Sequence, residues 1–301
     1  MSETTPESVA VIGLGAMGGA MAAMLVRRGW SVLGCDPSEE SLARARNAGV
    51  TTVTAIEELA GTEQVLLSLP GAEQVSAVVP ELLELDSVRL IVDTSTSDPR
   101  TSVGLATSAA AHDVVFVDAP VSGGPSGAAA GTLAAFVGAA PETVATAAPL
   151  LDAITAGGWR HMGGPGSGNV IKLLNNALCA GAIALCAEAV DIAAAYDMEA
   201  DKVVAALNSG SGRNAATDVN FPRWVLPGTY DSGFPVRLMT RDVNLAADLA
   251  ASTGTAMTVI DATRRTWQEA ARQLSPDADF NRVAQVIAAS SGVLAQTGRN
   301  Q

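Results

Sequence analysis

The stretch Ser8–Asp36, SVAVIGLGAMGGAMAAMLVRRGWSVLGCD, decides the fold. SVAVI is a short apolar run of the kind that makes a buried strand. Glycines follow at Gly13, Gly15 and Gly18, in G-x-G-x-x-G spacing. Helical spacing then runs to Arg28, and WSVLGCD reads as a second strand. A strand, a glycine turn and a helix start are the context in which this motif has a mechanism. The turn lets backbone approach a pyrophosphate, and the helix N-terminus faces the anion. Gly13, Leu14, Gly15, Ala16, Met17 and Gly18 are therefore candidate dinucleotide contacts.

Asp36 ends the second strand, eighteen residues after Gly18. A carboxylate there can bind the adenine ribose hydroxyls and would repel a 2′-phosphate. Pro37, Ser38, Glu39 and Glu40 follow, with no arginine before Arg44. NAD is expected in preference to NADP. Asp36 could instead cap the next helix, but Ser38 can fill that role.

Further strands are read in QVLLSLP, RLIVDTS, DVVFVDAP and TLAAFVG, with helical periods over 38–48, 72–84 and 98–111. Alternating strand and helix argues a parallel, doubly wound α/β sheet. The texture changes at the breaker cluster GGPGSGN, beyond which no strand is read. One long apolar helix is expected from Asn169 to about Tyr196, and shorter ones at about 199–208, 214–225, 236–254, 256–274 and 279–295. The expected organisation is a Rossmann-type domain over 1–165 and an all-α domain over 166–301, joined by that long helix. A helix apolar all round needs partners on every side, so a homodimer or homotetramer is expected.

Composition narrows the partners. The 301 residues are 48% hydrophobic and carry a formal net charge of −13. Such a surface repels phosphate backbones and anionic lipid, so neither nucleic acid nor membrane is an expected partner. The longest apolar run, Ala177–Ala187, is too short for a bilayer and is closed by Glu188 and Asp191. Cys35, Cys179 and Cys186 match no disulfide framework or metal motif, and His112 and His161 stand apart, so no metal is expected. The polar start MSETTPES is not a signal peptide, and reduced thiols fit a cytoplasmic location.

Three later motifs can carry chemistry. DTSTSDP places Thr94, Ser95 and Thr96 at a strand's carboxyl end, where ligands bind in such sheets. Ser97 or Asp98 can also cap a helix with Pro99 in its first turn. In DAPVSGGPSGAAAGTL, Ser122, Gly123 and Gly124 can turn successive N–H groups onto a carboxylate, or form a plain loop. In GSGNVIKLLNN, Lys172 and Asn176 lie one helical turn apart. A helix start and burial both disfavour a charged lysine, which suits a proton-transfer group. The competing fate is a lysine that snorkels to solvent.

In this order the motifs resemble the β-hydroxyacid dehydrogenase family over about Val9–Leu249, through GLGAMGGAMA, DTSTSDP, DAPVSGGPSGAAAGTL and GSGNVIKLLNN. The resemblance implies Lys172 as the catalytic lysine with Asn176 its partner, and Ser122, Gly123 and Gly124 as the substrate-carboxylate backbone. It implies Thr96 near the nicotinamide and substrate, and Leu69, Pro70 and Gln74 as cofactor contacts. Phe234 and Asp242 match positions that close the substrate site. The family usually has Lys-Asp where this chain has Arg241-Asp242; that lysine is generally placed beside the cofactor, so the resemblance implies Arg241 as a cofactor contact that keeps the charge but not the lysine's shape. The implied activity is NAD-dependent oxidation of a small 3-hydroxy acid, or the reverse, as in 3-hydroxyisobutyrate dehydrogenases. Alternatives are reduction of tartronate semialdehyde or a glyoxylate-type aldehyde, an imine reductase, and a non-catalytic NAD-binding protein.

Overall fold

The structure, a computed structural model, describes residues 7–254 and 256–291. The start of MSETTPES and the end of the helix expected over 279–295 lie outside the described residues. The chain divides into two compact units between Lys172 and Leu173. The division falls inside a helix, seven residues beyond the boundary expected from the breaker cluster.

The first unit alternates strand and helix: β1 (Ser8–Ile12), α1 (Ala16–Arg27), β2 (Ser31–Cys35), α2 (Glu39–Asn47), β3 (Thr51–Val53), β4 (Gln64–Leu67), α3 (Ala72–Leu83), β5 (Leu90–Asp93), α4 (Pro99–Ala110), β6 (Val115–Asp118), β7 (Val121–Ser122), α5 (Gly124–Ala130), β8 (Ala134–Gly138), α6 (Val144–Thr155) and β9 (Trp159–Gly163). The strand order is β3-β2-β1-β4-β5-β6-β8-β7, with β9 on β8. Strands β1 to β6 pair in parallel. The sheet is not parallel throughout, as the sequence suggested: TLAAFVG, here β8, runs antiparallel to β6 and β7. Only the two-residue β7 and the seven-residue α5 lie between β6 and β8, a short connection of the kind that antiparallel strands accept.

Alternation along each strand splits the core into two layers. Val9 and Val11 of β1 join Met21 and Leu25 of α1 and Leu150 and Ile154 of α6 on one face. Ala10 and Ile12 join Val75, Val79 and Leu82 of α3 on the other. Both faces are covered, which is why the central strands read as unbroken apolar runs.

In the second unit the elements are α7 (Ser167–Ala194, which begins in the first), α8 (Ala200–Ser209), a π-helical segment (Ala216–Val225), α9 (Val236–Ser252), α10 (Thr258–Gln273), a 3₁₀ turn (Phe280–Arg282) and α11 (Val283–Ser291). The expected helix over 214–225 is π-helical, with Leu226 N–H donating to Phe221 O, five residues back. Pro222 lies inside it and has no N–H for a regular ladder. Trp267 is the hub of the core: its ring stacks on Phe280 at 6.2 Å, and its Nε1–H donates to Ala180 O at 3.2 Å. Helix α7 is not buried all round. Leu174, Leu178, Leu185 and Ile192 are exposed, the last three at seven-residue spacing. By length and composition α7 could cross a membrane, as core helices of soluble proteins also could.

Candidate active site

The glycine turn sits at the sheet's switch point. Strand β1 lies between β2 and β4, and the helices that follow β1 and β4 pack on opposite faces, which leaves a crevice at the strand ends. Each glycine has its own reason. A Cβ on Gly13, at φ +89°, would lie 2.3 Å from Ser68 O. On Gly18 it would lie 1.8 Å from Gly13 O, so that glycine permits the contact between helix and turn. On Gly15 it would meet nothing within 4 Å. Gly15 and Ala16 are exposed, Met17 is half-buried and Leu14 is buried. The turn thus leaves backbone open where α1 begins, a fit for the pyrophosphate of a dinucleotide.

Asp36 is tied to that turn. Leu14 N–H donates to its Oδ2 at 2.7 Å and Ser38 N–H to its Oδ1 at 2.8 Å. Ser38 caps α2 through Ser41 N–H, so Asp36 is not spent on capping. Arg44 pairs with Glu40, and Arg46 with Glu39, within α2.

At the next strand ends, Leu69 N–H donates to Ser95 Oγ at 2.9 Å, which links the β4 and β5 loops. Ser68 and Leu69 are also the neighbours that a Cβ on Gly13 would strike, so the two expected cofactor segments meet here. Pro70 is exposed, while Thr96 and Gln74 are half-buried, the latter in the first turn of α3. Asp98 caps α4 with Pro99 in its first turn. Ser122 ends β7, and Gly123 and Gly124 are exposed at φ +131° and +65° where α5 begins. The motif is therefore a strand end and a helix start as well as a candidate anion cradle.

Two aspartates that the sequence reading did not single out lie here in register, Asp93 on β5 and Asp118 on β6, both fully buried. Asp118 reaches across to α7: Gly166 N–H donates to its Oδ1 at 2.7 Å and Asn169 N–H to its Oδ2 at 2.9 Å. Glycines make room for it. A Cβ on Gly138 would lie 2.4 Å from Asp118 Oδ1, and one on Gly168 would lie 2.8 Å from Oδ2 and 2.2 Å from Phe136 O. Burial pushes the Asp118 carboxyl up to about 7, against the pull of its two N–H donors and with the help of the Asp93 charge. Burial likewise raises Asp93 to about 7, although Ser95 holds its Oδ1. A visible signal was available: each aspartate ends an apolar strand run, where a charge is costly unless it has a task.

Lys172 is buried at 8% exposure, so it does not snorkel to solvent. Asn176, one turn on, is buried at 5%. In the second unit Asn176 Nδ2–H donates to Asp242 Oδ2 at 2.7 Å. Arg241 grips the other oxygen, with Nη2 at 2.7 Å and Nε at 2.9 Å from Oδ1. A lysine could not make that two-pronged contact. Phe234 is half-buried and meets Phe280 edge-on at 5.4 Å.

The family model described as the NAD binding domain of 6-phosphogluconate dehydrogenase matches residues 8–171. A second, described as NAD-binding of NADP-dependent 3-hydroxyisobutyrate dehydrogenase, matches residues 166–287. The 3-hydroxyisobutyrate dehydrogenase of Pseudomonas aeruginosa is 34% identical over 79% of this chain and 83% of its own. This chain belongs to the β-hydroxyacid dehydrogenase family. Another similar member, the NAD-dependent L-serine dehydrogenase of Pseudomonas aeruginosa, is 31% identical over 81% of this chain and 85% of its own. The structure of Mycobacterium tuberculosis 3-hydroxyisobutyrate dehydrogenase with L-serine superposes with a TM-score of 0.86 at 30% identity, covering 94% of this chain and 99% of that one. As a β-hydroxyacid dehydrogenase, the protein is an oxidoreductase that uses a nicotinamide cofactor.

Proposed function

We propose that the protein oxidises a small 3-hydroxy acid to its semialdehyde or keto acid, or runs the reverse reaction, with NAD. The observation that carries the reading is Lys172: a lysine buried near a helix start, one turn from a buried amide, in a family of dehydrogenases. Lys172 takes the hydroxyl proton in oxidation and returns it to the carbonyl in reduction. Asn176 orients the hydroxyl oxygen, and Asp242 fixes its amide. Backbone N–H groups at Ser122, Gly123 and Gly124 hold the carboxylate. Thr96, Phe234 and Asp242 are further substrate contacts in this reading. Residues 13–18, Leu69, Pro70, Gln74 and Thr96 would hold the cofactor, which would supply the hydride acceptor. The names of the serine and hydroxyisobutyrate dehydrogenases support the 3-hydroxy-acid class.

Asp36 supports NAD rather than NADP. Its carboxylate stands beside the glycine turn, and the nearby arginines of α2 are engaged by glutamates of that helix. The exposed leucine stripe of α7 supports a homodimer or homotetramer, and cysteines that match no disulfide framework fit the cytoplasm. Initial rates with NAD and NADP against a panel of 3-hydroxy acids and matching aldehydes test the reading. Turnover of at least one 3-hydroxy acid with NAD is expected; strong preference for NADP, or no turnover across the panel, overturns it.

A further inference from the structure

Three features seat the first turn of α7 against the sheet and helix α4. Asp118 receives the N–H groups of Gly166 and Asn169. Asn169, with no exposed surface, accepts Ser97 N–H at its Oδ1 (2.8 Å) and donates from Nδ2 to Ser102 Oγ (3.0 Å). Gly138 leaves the volume that the carboxylate fills, since the three atoms nearest a Cβ there all belong to the Asp118 side chain. Lys172 follows Asn169 by three residues and so lies over the same face of the helix. Serine, threonine or asparagine close by in sequence would cap a helix without burying a charge. Here the carboxylate comes from a strand end 48 residues before Gly166.

We propose that Asp118 is a positioning residue for proton transfer: seated in the slot left by Gly138, its carboxylate fixes the first turn of α7 and with it the Nζ of Lys172. The proposal rests on Lys172 as the proton-transfer group. Asp118 acts through the helix, and a shift of roughly 1 Å in a reacting group can cost about 10²-fold in rate.

The test uses the whole chain with Asp118→Asn, Asp118→Ala, Gly138→Ala, the double variant Asp118→Ala/Gly138→Ala, and Lys172→Ala. Asp118→Asn keeps the shape but turns a donor toward an N–H; Gly138→Ala displaces the carboxylate without removing it. The readouts are kcat, the dissociation constant of NAD, and the rate at which trinitrobenzenesulfonate labels Lys172 in the folded protein, followed by peptide mass spectrometry. Asp118→Asn and Gly138→Ala are each expected to lower kcat on the order of 10- to 100-fold. NAD affinity should be kept, and Lys172 labelling should rise several-fold. The double variant should be no slower than Asp118→Ala, because both changes act on one carboxylate. Unchanged labelling and kcat in either folded single variant overturns the proposal, as does additivity in the double variant. If Lys172→Ala keeps near-normal turnover while Asp118→Asn still exposes the lysine to labelling, the assignment of Lys172 fails and the clamp stands.

Discussion

Leu14 gives its backbone N–H to Asp36 Oδ2 at 2.7 Å, so the residue expected to select the cofactor also holds the turn expected to bind it. Asp36→Ala removes both effects. Hydrogen bonds to a charged group are worth about 1.5–3 kcal/mol, so kcat/KM for NAD should fall roughly 10- to 150-fold. The ratio of NADP to NAD use should rise. Steady-state rates with both cofactors measure this, and an unchanged ratio would remove Asp36 from cofactor choice.

Lys172→Ala should lower turnover by about 10²–10⁴, the usual worth of a positioned acid or base. NAD binding, followed by fluorescence titration, should stay near wild type. Near-normal turnover would sink the proton-transfer assignment.

Asp93 makes the chain's stability pH-dependent. Burial raises its folded carboxyl from the ordinary aspartate value, about 3.9, to about 7. Between those values the folded chain keeps a proton that the unfolded chain has released, so stability falls as pH rises across that window. Asp93→Asn puts an amide nitrogen where Oδ2 has no hydrogen-bond partner. The variant should be more stable than wild type at pH 8, with the gain shrinking toward pH 5. Urea unfolding at both values decides it, and equal gains would refute the raised carboxyl.

The stripe Leu178, Leu185 and Ile192 should bury against a second copy. Leu178→Asp with Leu185→Asp should weaken association by more than about tenfold, since a fully buried leucine contributes about 1.5–3 kcal/mol. Sedimentation velocity over a range of concentrations reads the effect. An oligomer of unchanged strength would place the interface elsewhere.

The features legible in the sequence were local ones. The glycine turn, Asp36 and the span of α7 announce themselves through spacing, strand ends and helical period. Asp93 and Asp118 show in the sequence only as charges that end apolar runs; their role depends on the register of β5 with β6 and on a helix far along the chain. Strand β9 was missed because WRHMG is largely exposed and lacks apolar alternation. By sequence α5 reads as a loop or an anion cradle because GPSGAAA is short and begins with glycine and proline, yet Pro125 suits a first turn and Gly131, at φ +67°, closes the end. The direction of β8 was equally hidden, since a strand's own residues do not state which way its neighbour runs.

Gly168 carries a warning for anyone engineering the protein. Replacing helical glycine by alanine is a standard route to thermostability, with a gain approaching about 1 kcal/mol in an open helix. At Gly168 the added methyl would be driven into the carbonyl of Phe136, 2.2 Å away, and against the Asp118 carboxylate. A stabilising library built on helix propensity alone would choose this position and lose the fit between α7 and the sheet.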